Sequence, residues 1–216
     1  FTPPEGYDRY VVIDFEGKDE IIEFPAIALD ARTLQELDGP CSPACGAAAT
    51  ARNRFHRWVR PVALFNGKPL NPRSEAVSFA QALQEFDAWV GGPEAGARTL
   101  FVICGDWDIK TQVPKQCRLS GVPVPPYFSS WANLKVLYNE HFGTDTRGMK
   151  GMLGHSGMLG PHGQVQGQHH LGMHDSTNIA KVLVRLVQAG GATGVTGCRD
   201  SSGRISSRWS AQGTRR

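Results

Sequence analysis

Two hydrophobic periods alternate along the chain, and each switch between them marks a predicted element. Residues Tyr10 to Glu16 carry Val11, Val12, Ile13 and Phe15, broken only by Asp14 and Glu16, the pattern of a buried strand. Gly17-Lys18-Asp19 then turns the chain, and Glu20 to Leu29, rich in Ile and Phe, predicts a second strand paired antiparallel with the first. Arg54 to Arg60 predicts a third strand, closed by Pro61. Phe79, Leu83, Phe86 and Val90 recur at helical spacing, so a helix is predicted from Glu75 to Val90, stopped by Gly91-Gly92-Pro93. Thr99 to Cys104 is short and apolar, as a central strand covered on both faces should be. Trp131 to Phe142 and Ser176 to Ala189 predict amphipathic helices, the second with Ile179, Leu183, Leu186 and Val187 as its buried stripe. Residues 38–51 and 148–168 are too rich in small residues to predict helices and read as loops or insertions, and 191–216 has the composition of a flexible basic tail.

A hairpin, a buried strand and flanking helices predict an α/β fold with a central mixed β-sheet. The chain has 216 residues, enough for one substantial domain, placed at 9–190 after a lead-in at 1–8. A content of 40% hydrophobic and 20% charged residues fits a globular chain, and the lack of an 18-residue apolar run argues against a membrane-spanning helix. A net charge of +3 tilts weakly toward an acidic partner such as nucleic acid. The five cysteines (41, 45, 104, 117 and 198) form no evenly spaced framework, so a reduced intracellular setting, cytoplasm or nucleus, is expected. Cys41-x3-Cys45 resembles half of a zinc site, but no second pair follows it. A start on Phe1 reads as a fragment or processed chain.

The acids add the chemistry. On a strand, Asp14 and Glu16 share one face, and two neighbouring carboxylates at the end of an apolar run are costly to desolvate without a cation between them. Asp106 and Asp108 follow the predicted strand at 99–104, and Asp175 opens the last helix behind His169, His170 and His174. Hard oxygen ligands without thiolates suit Mg²⁺ or Mn²⁺, and a histidine nearby can deprotonate water near neutral pH. Together these point to two-metal phosphodiester hydrolysis.

The motifs Asp14-Phe15-Glu16, Cys104-Gly105-Asp106-Trp107-Asp108 and His170-x4-Asp175 resemble the three motifs of the DEDDh 3′-to-5′ exonucleases, which have an RNase H-like (DnaQ-like) fold. Glu20-Ile21-Ile22-Glu23-Phe24-Pro25, Trp58-Val59-Arg60-Pro61 and Lys150-Gly151-Met152-Leu153 are similar to the Eri-type exoribonuclease branch. So is the run from His170 to Ala180, and the likeness covers most of residues 9–190. The resemblance implies Asp14, Glu16, Asp108 and Asp175 as ligands of two Mg²⁺ or Mn²⁺ ions, with His170 as general base. Asp106 is the competing choice for Asp108, and His169 the neighbour of the base. It implies release of 5′-mononucleotides from single-stranded RNA or RNA 3′ overhangs, structured RNA included. Substrate contact is expected from Gly17 and Lys18, just past the Glu, and from Phe15 and Trp107, each of which is also a candidate for packing. The basic residues Arg52, Arg54, Arg57 and Arg60 are candidates for steering RNA.

Three features depart from the branch: no Leu-Thr-Gly-Ile-like stretch lies between Pro61 and Phe79, 38–51 and 154–168 look inserted, and His174 stands where an acid is usual. A monomer without membrane association is expected, with a protein partner as one source of specificity. A non-catalytic RNA-binding protein of the same fold and a DNA-preferring exonuclease are the alternatives.

Overall fold

The computed structural model describes residues 6–37, 53–65, 68–69, 73, 75–92 and 98–207. The predicted loop at 38–51, the Cys41/Cys45 pair and Arg52 lie outside them. Strand β1 (Arg9–Ile13) pairs antiparallel with β2 (Glu23–Asp30), and β2 with β3 (Arg54–Arg60). A two-stranded ribbon follows, β4 (Leu64–Phe65) with β5 (Lys68–Pro69), and then β6 (Val77–Ser78), parallel to β3, leads into α1 (Phe79–Val90). Strand β7 (Thr99–Ile103) returns parallel to β1, and a π-helical turn (Asp108–Gln112) runs into α2 (Val113–Leu119). Strand β8 (Ser130–Asn133) is parallel to β7 and precedes α3 (Leu134–Phe142), α4 (Gly148–His155) and α5 (Gly172–Gln188). A terminal hairpin, β9 (Gly197–Arg199) and β10 (Ile205–Ser207), completes an eight-stranded mixed sheet of order β10-β9-β8-β7-β1-β2-β3-β6.

Both faces of this sheet are covered, which is why β1 from Tyr10 and β7 from Leu100 run on in apolar residues to their ends. Alternation along β1 sends Val11 and Ile13 into one core with Phe24, Phe86 and Phe101, under α1 and α2. It sends Tyr10 and Val12 into the other, with Ile27 of β2 and Ile179, Leu183 and Leu186 of α5. Each large apolar side chain buried this way contributes about 1.5–3 kcal/mol. No helix among the described residues is long and apolar enough to cross a membrane.

Several boundaries differ from the sequence expectation, each for a local reason. Strand β1 stops at Ile13, not Glu16, because Phe15 N–H, two residues on, donates to Asp108 Oδ1 (3.1 Å) and not to a strand. Glu16 rejoins the sheet only through an isolated bridge to Glu23. Strand β2 starts at Glu23, since Glu20 turns inward and its carboxylate accepts the N–H groups of Val62 (2.7 Å) and Ala63 (2.8 Å). Helix α1 begins at Phe79, where Ser78 Oγ caps Gln81 N–H. Trp131 lies in β8, and the following helix waits until Asn133 caps Lys135 N–H. The region 148–168 contains the two-turn helix α4, held by Met149, Met152 and Leu153 in the second core. The flexible tail expected from 191 is, as far as 207, an ordered hairpin. Gly197 presses against the buried Trp131 indole so closely that an added Cβ would meet its ring at 2.4 Å.

Candidate active site

Three carboxylates converge where β1 ends. Asp14 follows Ile13 and so points to the α5 side of the sheet, and Glu16 shares that side two residues on. The ligand oxygens of Asp14, Glu16 and Asp175 all lie within 4.8 Å of one another. Gly17 makes the turn beyond them possible. Its φ of +116° is open to glycine, and a Cβ there would sit 2.0 Å from Glu20 O. Its carbonyl accepts Gln112 Nε2 (2.5 Å), while Gln116 Oε1 accepts Ile21 N–H (2.9 Å), so two buried glutamines of the Asp108 segment hold this turn.

The third acid comes from the first turn of α5. Gly172 lets the helix approach: a Cβ there would lie 2.7 Å from Pro25 Cγ and 3.1 Å from Asp14 O. Buried Glu23, at the start of β2, accepts the N–H groups of Gly172 (3.0 Å) and Met173 (3.3 Å) and pairs with His56 Nε2 at 2.9 Å. It caps the helix from a neighbouring strand, and the N-terminal dipole favours its charge. Ahead of α5, Asp175 Oδ2 binds both His170 N–H (2.8 Å) and His169 Nδ1 (2.9 Å). His170 has φ +67°, an uncommon conformation for its residue type, and its ring stacks on that of His169 at 3.9 Å. The loop before it is fixed twice: Asn178 Nδ2 donates to Gln166 O (2.9 Å), and His174 Nδ1 accepts Gln168 N–H (2.9 Å).

The fourth acid sits on the π-helical turn. Asp108 is buried and accepts Phe15 N–H, which brings it to the β1 exit, outside the trio that closes within 4.8 Å. Asp106 is committed elsewhere, accepting Trp131 Nε1 (2.9 Å). Between them Trp107 is 57% exposed, an unusual state for so large an apolar surface.

The charges are in conflict, as carboxylates gathered in one pocket must be. Burial, then the charges of Asp108, Glu16, Asp175 and Glu23, push Asp14 well above the ordinary carboxylate range. Glu16 is raised to about 7 by burial and by Asp175 and Glu23. Asp108 is also raised to about 7, chiefly by burial, against the relief from Phe15 N–H. Asp175 Oδ1 is buried with no hydrogen-bond partner among the described residues. Orphaned oxygen and mutual repulsion are both what a hard divalent cation relieves, so the donor set fits one.

No family model matches the chain. It is 32% identical to an uncharacterized exonuclease domain-containing protein of Arabidopsis thaliana, over 91% of this chain and 59% of that protein. It is 30% identical to ERI1 exoribonuclease 3 of Homo sapiens, over 87% of this chain and 56% of the relative. Among solved structures, the nuclease domain of 3′hExo, a DEDDh family member bound to rAMP, superposes with a TM-score of 0.69 at 25% identity. That match covers 88% of this chain and 97% of that one. The chain resembles the DEDDh exonucleases, in their Eri-type branch. It spans a little over half the length of the curated relatives it matches.

On this DEDDh fold, the residues singled out in the sequence fall into three groups. Asp14, Glu16, Asp175, His170 and, through Phe15 N–H, Asp108 are brought together. Gly17 shapes the adjoining turn, with exposed Lys18 beside it, and Trp107 stands open next to Asp108. Phe15 does not join them. It is buried edge-on to Phe24 at 4.6 Å in the aromatic core, so the base-stacking expected of it is corrected to packing. The arginines of β3 are similarly occupied: Arg54 binds Glu36 and Thr177, Arg57 binds Glu85, and Arg60 reaches Ala76 O (2.6 Å). Glu23 and His56 went unrecognised in the sequence. Their partners, Gly172 and Met173, lie 149 and 150 positions from Glu23, beyond any local pattern.

Proposed function

We propose that this chain is the catalytic domain of a metal-dependent 3′-to-5′ exoribonuclease releasing 5′-mononucleotides. The observation that carries the reading is the meeting of Asp14, Glu16 and Asp175 within 4.8 Å, with Asp175 Oδ1 unpartnered. These three and Asp108 would hold Mg²⁺ or Mn²⁺, two ions per site. Bound there, the cations would neutralise the scissile phosphate and stabilise charge on the attacking and leaving oxygens.

The chain's own side chains do the rest. The His170 ring has no hydrogen bond among the described residues, whereas His169 Nδ1 is taken by Asp175, so His170 is the proton acceptor for the attacking water. Its backbone N–H on Asp175 Oδ2 fixes the distance between base and ligand. The water oxygen forms the new P–O bond as the 3′ oxygen of the penultimate nucleotide leaves, which gives a 5′-monophosphate without a covalent enzyme intermediate. Trp107 offers an exposed face for a base, and the backbone at Gly17 and Lys18 borders the terminal sugar. The preference for RNA, including single-stranded 3′ ends, rests on the names of the relatives. Monomeric state and an intracellular site of action complete the proposal.

The test is a 5′-labelled single-stranded RNA incubated with Mg²⁺ or Mn²⁺, with and without EDTA. Wild-type protein shortens it from the 3′ end only when metal is present, and His170→Ala loses at least about 100-fold in rate. A His170→Ala protein as fast as wild type removes the base from the mechanism.

A further inference from the structure

The π-helical turn that carries Asp108 is closed by a residue 91 positions away in sequence, on β9, the strand next to the edge of the sheet. Val113 N–H bonds Asp108 O, the i→i+5 spacing of a π turn. The next residue, Pro114, has no N–H. Pro114 would serve Ile109 O at the π spacing or Lys110 O at the α spacing, so its missing N–H takes a donor from this pair of carbonyls. Arg199 replaces it. From β9, Arg199 Nη2 donates to Lys110 O (2.9 Å) and Ile109 O (3.4 Å). Arg199 Nε is buried without a partner among the described residues, so the guanidinium is packed against the turn and not waving in solvent. The strand that holds it is anchored in turn, because Gly197 abuts the Trp131 indole and Thr196 N–H donates to Trp131 O (2.9 Å).

We propose that Arg199 is a positioning residue for the reaction: by donating to the Ile109 and Lys110 carbonyls where Pro114 supplies no N–H, it sets the wide turn that aims Asp108 at the β1 exit. The terminal hairpin is then part of the catalytic apparatus although it touches neither substrate nor reacting atoms. The inference rests on the exonuclease reading for its kinetic consequence, but its structural half is independent of it.

The experiment compares wild type, Arg199→Ala and Arg199→Lys by two readouts. The first is amide hydrogen exchange of peptides covering 106–119 in the metal-free protein, and the second is kcat and KM on labelled RNA with saturating metal. Arg199→Ala should speed exchange at 106–119 while peptides from β1 and α5 keep wild-type protection. It should lower kcat about 10- to 100-fold, the effect of a catalytic group displaced by about 1 Å, with KM little changed. Arg199→Lys, which keeps the charge but gathers its donors on one nitrogen, should fall between, and it carries the comparison if the alanine variant does not fold. Unchanged exchange at 106–119 overturns the proposal whatever the rate. Faster exchange with wild-type kcat overturns it too, since the turn would then not govern the chemistry. A wild type inert toward RNA in Mg²⁺ and Mn²⁺ defeats the exonuclease reading, and the kinetic half of the proposal with it, while the exchange result still stands as a test of the turn.

Discussion

Replacing Asp108 by Asn should make the metal-free protein more stable and the enzyme worse. Asp108 is buried, its folded pKa is raised from 3.8 to about 7 mainly by desolvation, and its Oδ1 accepts Phe15 N–H. Asn keeps Oδ1 as acceptor for that N–H and removes the charge. The rise from 3.8 to about 7 corresponds to about 4 kcal/mol at about 1.4 kcal/mol per pH unit. Below about pH 4 both folded and unfolded chains hold the proton and the wild type suffers no penalty. Between about pH 4 and 7 the unfolded chain releases its proton first, so stability falls as pH rises, and above 7 the full penalty is present. Denaturant unfolding in EDTA should therefore show the Asn variant gaining on wild type by about 2–3 kcal/mol between pH 5 and pH 8. Divalent metal at pH 8 should narrow that gap by stabilising the wild type, and RNA hydrolysis should fall by at least about 100-fold in the variant. An Asn variant less stable than wild type at pH 8, or a stability difference flat from pH 5 to 8, would refute the claim that Asp108 is a strained, cation-seeking carboxylate.

Other substitutions separate holding the site from using it. Glu23→Ala leaves two α5 N–H groups and His56 without their buried acceptor and should cost about 2–4 kcal/mol by denaturation; Glu23→Gln, which keeps an acceptor, should cost less. Burial works against the Glu23 charge, but His56 and the Gly172 and Met173 N–H groups outweigh it and hold its pKa below the ordinary value, so this contribution is present near neutral pH and lost as acid protonates it. Gly172→Ala, forcing a Cβ to 2.7 Å from Pro25, should lower kcat at least about tenfold, and normal kcat would show that the approach of α5 is slack. Trp107→Ala should leave stability within about 0.5 kcal/mol yet raise KM for RNA by about 5- to 100-fold, the worth of one stacked base; an unchanged KM assigns the exposed indole no substrate role.

What was legible in the sequence was what local pattern encodes. The apolar runs at Val11–Ile13 and Thr99–Ile103 announced central strands because both faces of the sheet are covered. Asp14, Glu16 and Asp175 stood out because acids at the ends of buried elements are costly without a task. The misread features depend on distant partners. Nothing local in the sequence marks a task for Glu20 or Glu23, and each ends on backbone N–H groups more than 40 residues away. Arg54 and Arg57 look like an RNA-steering run until Glu36 and Glu85 are seen beside them. A Gly/Ser-rich tail gives no hint of a hairpin whose anchor is a tryptophan 66 positions upstream of Gly197. The resemblance favoured Asp108 over Asp106, and their partners differ accordingly, Phe15 N–H for Asp108 and Trp131 Nε1 for Asp106.

The direction and the product of cleavage are read by one assay. Two preparations of the same single-stranded RNA, one labelled at the 5′ end and one on the 3′-terminal nucleotide, are incubated with Mg²⁺ or Mn²⁺. The 3′ label should leave at once as a nucleoside 5′-monophosphate while the 5′ label passes through a ladder of shortening products, and EDTA should stop both. Release of internal fragments or 3′-phosphates, loss of the 5′ label first, or intact RNA at every metal concentration would contradict it.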